Sequence, residues 1–349
     1  MPAADRWLGM GKATHGSRWI AQAFGLELRG RFRAPGLADP RIDAAENDLQ
    51  ASAVADGDAA PARVPVVHVR VVGEQAPTDW CGPESRRLLH WRFDDGRAVM
   101  SIDHHPDFGH RLFAIGQGEY VVSGDGSSVS CAPRGAEDWV WQRYLVGQVL
   151  PLAAVVNGYE VLHASAVAIH DAGVAFVADS GTGKTSLALN MVLRGARFLT
   201  DDVAAISVRD DSVMVHPGPR LTNLRREEDA RLGKRRALLG EVIGSDAEGL
   251  RIAIHESGQS VPLRAVYFLE RGADGARPRF AELRDRHFQC LGRFSFTRYL
   301  STPDRLRNQL DAFGAISDGG RLFRVSIPTS MGAAELGAHV ERHVADECA

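Results

Sequence analysis

The sequence predicts a mixed α/β chain, β-rich in its first part and alternating strand with helix in its second. Two observations carry this prediction. Between Val66 and Cys131, short runs of alternating apolar residues dominate: Val66–Val71, Leu88–Phe93, Ala98–Ile102 and Glu119–Val122. Turn-forming pairs, Asp95-Gly96 and Asp125-Gly126, separate several of them, as expected for strands joined by tight turns. Further on, the apolar run Gly173–Val177 leads into Ala178-Asp179-Ser180-Gly181-Thr182-Gly183-Lys184-Thr185, and a helical pattern, Ser186–Leu193, follows at once. A strand, a glycine-rich turn and a helix start are the signature of an α/β unit that holds a phosphate group.

The elements fall in the following order. Residues 1–20 are expected to form a loose arm, with a strand at Gly25–Arg29 after it. Ala-, Asp- and Pro-rich sequence from Pro40 to Pro65 has few large apolar residues and reads as a flexible loop. Together with the alternating runs this gives a β-rich N-terminal domain over 21–135. A second domain, 136–349, opens with a helical stretch from Trp139 to Val156 that joins the two. A strand at Val161–Ile169, the loop-bearing strand and a helix to Arg194 follow, with Gly195 as the helix stop. Arg197–Leu199 is a short strand ending at Thr200-Asp201-Asp202, and Val203–Val208 is another. The charged stretch Arg225–Glu241 reads as helix. Ala265–Leu269 and Leu322–Val325 read as strands among the closing helices.

Composition excludes several functions. The 349 residues are 44% hydrophobic and 24% charged, which is ordinary for a globular chain of one large or two smaller domains. A net charge of −3 offers no general attraction to nucleic acid or to an anionic membrane. Cys81, Cys131, Cys290 and Cys348 stand far apart, with neither a zinc-ligand spacing nor a disulfide framework. The longest apolar stretch, Val149–Val156, is too short to span a bilayer and contains Pro151. The start of the sequence lacks the apolar core of a signal peptide. A cytoplasmic protein without nucleic-acid or membrane partners is expected, and a homo-oligomer is compatible with all of this.

The loop carries the chemistry. Gly181 and Gly183 let the backbone curl so that successive N–H groups point at phosphate oxygens, and the helix start adds its positive end. Asp179, Ser180, Gly181, Thr182, Gly183, Lys184, Thr185 and Ser186 are therefore the expected nucleotide-binding residues. Lys184 would reach the β- and γ-phosphates of ATP, and the Thr185 hydroxyl would ligate Mg²⁺. Ala178 stands where the commonest pattern has Gly. Asp201-Asp202 lies at the end of a strand soon after the loop, and such strand ends converge at one sheet edge. One carboxylate there can hold Mg²⁺ and the other can accept a proton from an attacking hydroxyl. A plain turn or helix-capping pair is the alternative.

His163, in a strand expected beside the loop strand, either contacts phosphate, orients a carboxylate or is structural. Arg220 and Arg225 open a basic cluster that continues through Arg236, and either could meet phosphate or an acidic acceptor. Glu227, Glu228 and Asp229 are interleaved, so a solvated helix with local ion pairs is equally consistent. His339 and His343 are read as surface residues of a terminal helix, and His104-His105 as part of a loop without a partner acid.

Leu162-His163-Ala164-Ser165-Ala166-Val167, the loop from Ala178 to Thr185, and Arg194-Gly195-Ala196-Arg197-Phe198-Leu199-Thr200-Asp201-Asp202 together resemble the core of the HPr kinase/phosphorylase family. Pro262–Arg271 resembles the HPr-kinase-related subfamily, as do Ala23–Leu26 and Ala34–Leu37. The resemblance implies a P-loop kinase domain of the HPr kinase type, with ATP and Mg²⁺. It makes Asp201 the general base for a serine hydroxyl and places Asp202 nearer the metal, although the two roles are exchangeable. It puts His163 at the phosphate site and Lys184 on the phosphates. Two departures point away from HPr as acceptor and from a reverse reaction. Ser186-Leu187 stands where HPr kinase carries Glu, and no downstream Glu-Val-Arg-Gly-type signature is present. Relatives of this build phosphorylate the C-terminal serine of lasso-peptide precursors, so such a peptide is the expected partner. A small-metabolite kinase and a nucleotide-switched binding protein are the alternatives.

Overall fold

The computed structural model describes residues 19–31, 34–37, 64–72, 83–134, 138–209, 212–245, 249–273, 275–319 and 321–348. Most of the expected arm and the whole 40–63 stretch lie outside these residues. Contacts divide the chain into two compact units, with the division at Asn157/Gly158.

The first unit is one eight-stranded sheet. Its strands are β1 (Trp19–Ala23), β2 (Leu26–Gly30), β3 (Val66–Val71), β4 (Arg86–Arg92), β5 (Ala98–His105), β6 (Gly109–Ala114), β7 (Gly118–Val122) and β8 (Ser128–Pro133). They lie in the order β1-β2-β3-β8-β7-β6-β5-β4. The pairs β2–β3 and β3–β8 are parallel, so the module is mixed rather than wholly antiparallel. Alternate residues of the central strands, among them Leu26, Leu28, Val67, Val69, Tyr120 and Val122, are buried, giving the period of two that the sequence displays.

A helix, α1 (Asp138–Tyr144), runs through a π-helical turn at Leu145–Val149 into α2 (Leu150–Val156). Trp141, Tyr144, Leu145, Val149 and Leu152 are buried, and the Tyr120 hydroxyl donates to the Trp141 carbonyl at 2.9 Å. This helix therefore belongs to the β-rich unit, which ends at Asn157 rather than at the expected 135.

His104 and His105 stand in β5, not in a loop, because β6 pairs with them through His110 and Gly109. Glu84, His105 and Asp107 bring their side chains within 4.8 Å of one another, so His105 does have acidic neighbours. Its Nδ1 accepts the Asp107 amide at 3.1 Å, which places the ring proton on Nε2, facing Glu84 at 3.7 Å. That is the tautomer of a hydrogen-bonded turn rather than of a metal ligand at Nε2.

His110 is buried, and its Nδ1 has no hydrogen-bond partner among the described residues. Burial, reinforced by His104, pushes its pKa down to about 4. The folded state thus keeps this ring neutral while the unfolded chain protonates it near 6.5. The resulting stability is present above about pH 6.5 and is lost as pH falls towards about 4, by at most ~3 kcal/mol. Denaturant titrations at several pH values should show this acid slope, and His110→Phe should flatten it.

In the second unit the loop-bearing strand is central. Its elements are β9 (Glu160–Leu162), β10 (Ala164–Ile169), β11 (Ala172–Val177), α3 (Lys184–Val192), β12 (Arg197–Thr200), β13 (Ala204–Arg209), β14 (Ser212–His216), β15 (Leu221–Arg225) and α4 (Arg226–Leu232). There follow β16 (Gly240–Ser245), β17 (Gly249–Ile254), β18 (Val261–Ala273), β19 (Arg279–Glu282), α5 (His287–Arg293), α6 (Pro303–Gly319), β20 (Arg321–Pro328) and α7 (Ala333–Cys348).

Strand β18 has parallel neighbours in β11 and β20, β10 runs antiparallel to β11, and β12 antiparallel to β10. Two antiparallel steps restore direction, so β11 and β12 end at the same sheet edge. Ala175 and Val177 of β11 pack towards Phe313 and Ile316 of α6, while Val174 and Phe176 pack towards Leu187 and Met191 of α3 and Leu336 and Val340 of α7. A strand covered on both faces has to be apolar throughout, which explains the unbroken run before the loop.

Three sequence expectations change here. The run Val161–Ile169 is not one strand: it bends at His163, where β9 leaves for β13 and β10 joins β11. The stretch Arg225–Glu241 is not one helix either. Its helical part is α4 with a 3₁₀ turn at Gly233–Leu238, and β15 and β16 bound it within a three-stranded sheet. His343 is not mere surface: its Nδ1 lies 2.9 Å from the Tyr267 hydroxyl, and its ring stacks on Phe280.

Candidate active site

The loop between β11 and α3 adopts the backbone its glycines imply. Gly181 and Gly183 have φ of 83° and 112°, values that disfavour any side chain, while a Cβ at either would meet nothing closer than 3.6 Å. Their requirement is conformational, not spatial. Lys184 is the first residue of α3; it is buried, and its Nζ donates to the Ala178 carbonyl across the loop at 2.8 Å. Burial lowers its pKa, and Asp202, Asp201 and Asp179 oppose that shift.

Because β11 and β12 end together, the loop meets the aspartate pair. Asp201 Oδ1 accepts the hydroxyls of Thr185 at 2.8 Å and Ser165 at 2.6 Å, and its Oδ2 accepts that of Thr222 at 2.6 Å. Desolvation by burial raises the Asp201 pKa against the pull of these three donors. Asp202 is different. Its side chain is 65% exposed, it sits at φ 97°, and its Oδ1 lies 3.3 Å from His163 Nδ1. A non-glycine residue at that φ is strained, by roughly 1–3 kcal/mol. One carboxylate is locked by hydroxyls and the other is free to face solvent beside an imidazole.

Most of the expected residues converge. Asp179, Ser180 and Gly181 are exposed, and Thr182, Gly183, Thr185 and Ser186 are partly so, along the same loop and helix start. Arg225 also arrives: its Nη1 would lie 3.8 Å from a Cβ at Gly181. Arg220 instead donates to the His255 carbonyl at 3.3 Å, on the three-stranded sheet.

Sequence reading missed Ser165 and Thr222, whose hydroxyls signal nothing until they are placed against Asp201. It also missed two arginines. Arg271 of β18 donates to the Thr182 carbonyl at 2.9 Å and to the Met331 carbonyl at 3.0 Å, bracing the loop. Arg293, the last residue of α5, reaches both carboxylate oxygens of Asp179 through Nη2, at 2.8 and 2.6 Å.

A buried polar network holds that last segment in place. Arg305 of α6 pairs with Glu160 of β9 at 2.7 Å, with side chains 8% and 1% exposed. The Ser295 hydroxyl donates to Glu160 at 2.9 Å, and Gln309 donates to Ser295 at 2.8 Å. The Phe294 carbonyl accepts the His163 amide at 2.7 Å, so this network fixes His163 and Arg293 together. Burial raises the Glu160 pKa, and Arg305 opposes the rise.

The fold and this edge define a class: an α/β domain whose strand, glycine-rich loop and helix bring a lysine, a threonine hydroxyl and two carboxylates to one sheet edge. These hard oxygen donors suit Mg²⁺, which prefers carboxylate, hydroxyl and phosphate oxygens. Residues 156–224 match the family described as HPr Serine kinase C-terminal domain, and over that region the chain is HPr kinase-like.

The HPr kinase/phosphorylase of Prosthecochloris aestuarii is 35% identical over 60 residues, covering 17% of this chain and 18% of that protein. That of Bacillus cytotoxicus is 35% identical over 78 residues, covering 22% and 23%. The chain thus spans less than a quarter of the length of these curated relatives. Among solved structures, the Hpr(Ser) kinase/phosphatase from Coxiella burnetii is 13% identical with a TM-score of 0.31, covering 54% of this chain and 99% of that one. No helix among the described residues is long and apolar enough to cross a membrane.

Proposed function

We propose that this chain transfers the γ-phosphoryl group of ATP, with Mg²⁺, to a serine hydroxyl of a peptide or small protein. The observation that supports this most is the contact of Thr185 with Asp201 at 2.8 Å, which joins the phosphate loop to the aspartate pair at one sheet edge. Phosphoryl transfer asks for positioning and charge stabilisation more than for covalent chemistry, and this edge offers both.

Lys184 and the loop amides bind the phosphates. Thr185 and Asp201 would hold Mg²⁺, which when bound neutralises phosphate charge. Asp201 suits that task because three hydroxyls fix its orientation, so the exchanged assignment of the pair is the one we adopt. Asp202, exposed and beside His163, takes the proton from the acceptor hydroxyl. His163 orients that carboxylate, and Arg225 stands where it can meet phosphate charge.

Within this class we favour a lasso-peptide precursor as acceptor, on the two departures from HPr kinase around Ser186-Leu187 and downstream. The test is incubation with γ-labelled ATP, Mg²⁺, serine-ended precursor peptides and HPr, read by intact mass. One added phosphate on a peptide supports the proposal, and one on HPr keeps the kinase but changes the acceptor. Label in small molecules only, or tight ATP binding with no labelled product, would replace it with a metabolite kinase or a nucleotide-switched binder.

A further inference from the structure

A carboxylate within a phosphate loop is a liability. Asp179 is the second residue of the loop, its side chain is 64% exposed, and its charge reaches Lys184 of the same loop. Left alone, its charge would oppose an incoming polyphosphate. Arg293 answers it from 114 residues away, with Nη2 on both carboxylate oxygens.

This pair is too exposed, at 62% and 64%, to contribute much to folding. Yet its basic half is held with care. The guanidinium lies over the Phe294 ring at 5.4 Å, and the next residues are pinned by the Phe294–His163 backbone bond and by the buried Glu160–Arg305–Ser295 network. A rigid mount for a solvent-facing ion pair points to a role outside stability.

We propose that Arg293 is a charge-compensating residue: by neutralising Asp179 it allows this loop to accept a nucleoside triphosphate. The inference rests on the nucleotide-binding reading above. Arg293 acts through Asp179, so it is a positioning residue rather than a catalytic one. Its effect scales with the charge of the ligand.

Calorimetric titration of the full chain with the β,γ-imido analogue of ATP and Mg²⁺ tests this. Arg293→Ala should raise Kd roughly tenfold, the size of one uncompensated charge near a polyphosphate. Arg293→Lys should recover most of that loss. Asp179→Asn should bind more tightly than wild type, because Arg293 is then left as a net positive charge beside the loop. The double variant Asp179→Asn/Arg293→Ala, neutral again at this point, should return to within about threefold of wild type. The defect of Arg293→Ala should shrink with AMP, which a merely structural lesion would not produce. Wild-type affinity in Arg293→Ala would overturn the inference. So would a double variant as weak as Arg293→Ala, since Arg293 would then act on the nucleotide directly. Wild-type protein that binds no nucleotide would instead overturn the nucleotide reading, and this inference with it.

Discussion

Asp202→Asn is expected to lower kcat by about 10³-fold while leaving binding of Mg·ATP within about threefold of wild type. The amide keeps the shape of the side chain and its place beside His163 but cannot take a proton. Asp201→Asn should behave differently. Its carboxylate accepts the Thr185 hydroxyl, so its loss should show first as a higher Mg²⁺ requirement and weaker nucleotide binding. Single-turnover rates, together with Mg²⁺ titrations of both variants, separate the two roles. Equal losses of rate at saturating Mg²⁺ and nucleotide would mean that the pair acts as one unit and that the division proposed here is wrong.

Arg305→Met is expected to destabilise the fold by about 3–5 kcal/mol, the largest stability effect in the site's surroundings. It leaves Glu160, 1% exposed, as an unpaired buried charge. The sign of its pH dependence follows. The pKa of Glu160 is raised in the folded state, so the folded chain takes up this proton more readily than the unfolded one as pH falls. The defect of Arg305→Met should therefore be greatest at alkaline pH and relax under mild acid. Glu160→Gln/Arg305→Met should recover part of the loss, because no charge is then stranded. Urea unfolding at pH 8 and pH 5 reads both effects. A single variant as stable as wild type would show that water reaches Glu160.

Much of the site was legible in the sequence, for a reason that is local. Ala178 to Thr185 sits between an apolar strand and a helix start, and those few residues determine their own geometry. Asp201-Asp202 was legible because a short strand after a helix returns the chain to the same edge. The N-terminal strands showed wherever one face is buried, as in Val66–Val71.

What escaped was long-range. Arg293 lies 114 residues from Asp179 and on an unremarkable helix end, with no periodicity to single it out. Ser165 and Thr222 became partners of Asp201 only through sheet order. The bend at His163 was hidden because the run Val161–Ile169 is apolar on both sides of it, and only the change of pairing partner divides it. The helix from Asp138 to Val156 was read as a connector because nothing in its pattern names the sheet it covers.

Asp202 also bears on how this sequence is free to change. At φ 97° a glycine would relieve backbone strain that any other residue has to bear. Selection for stability alone would therefore drive this position towards glycine and away from a carboxylate. An aspartate held there against its own backbone preference supports the role proposed for it. It also means that searches for more stable variants of this chain would tend to collect glycine at 202, improving the scaffold while erasing the acid it presents.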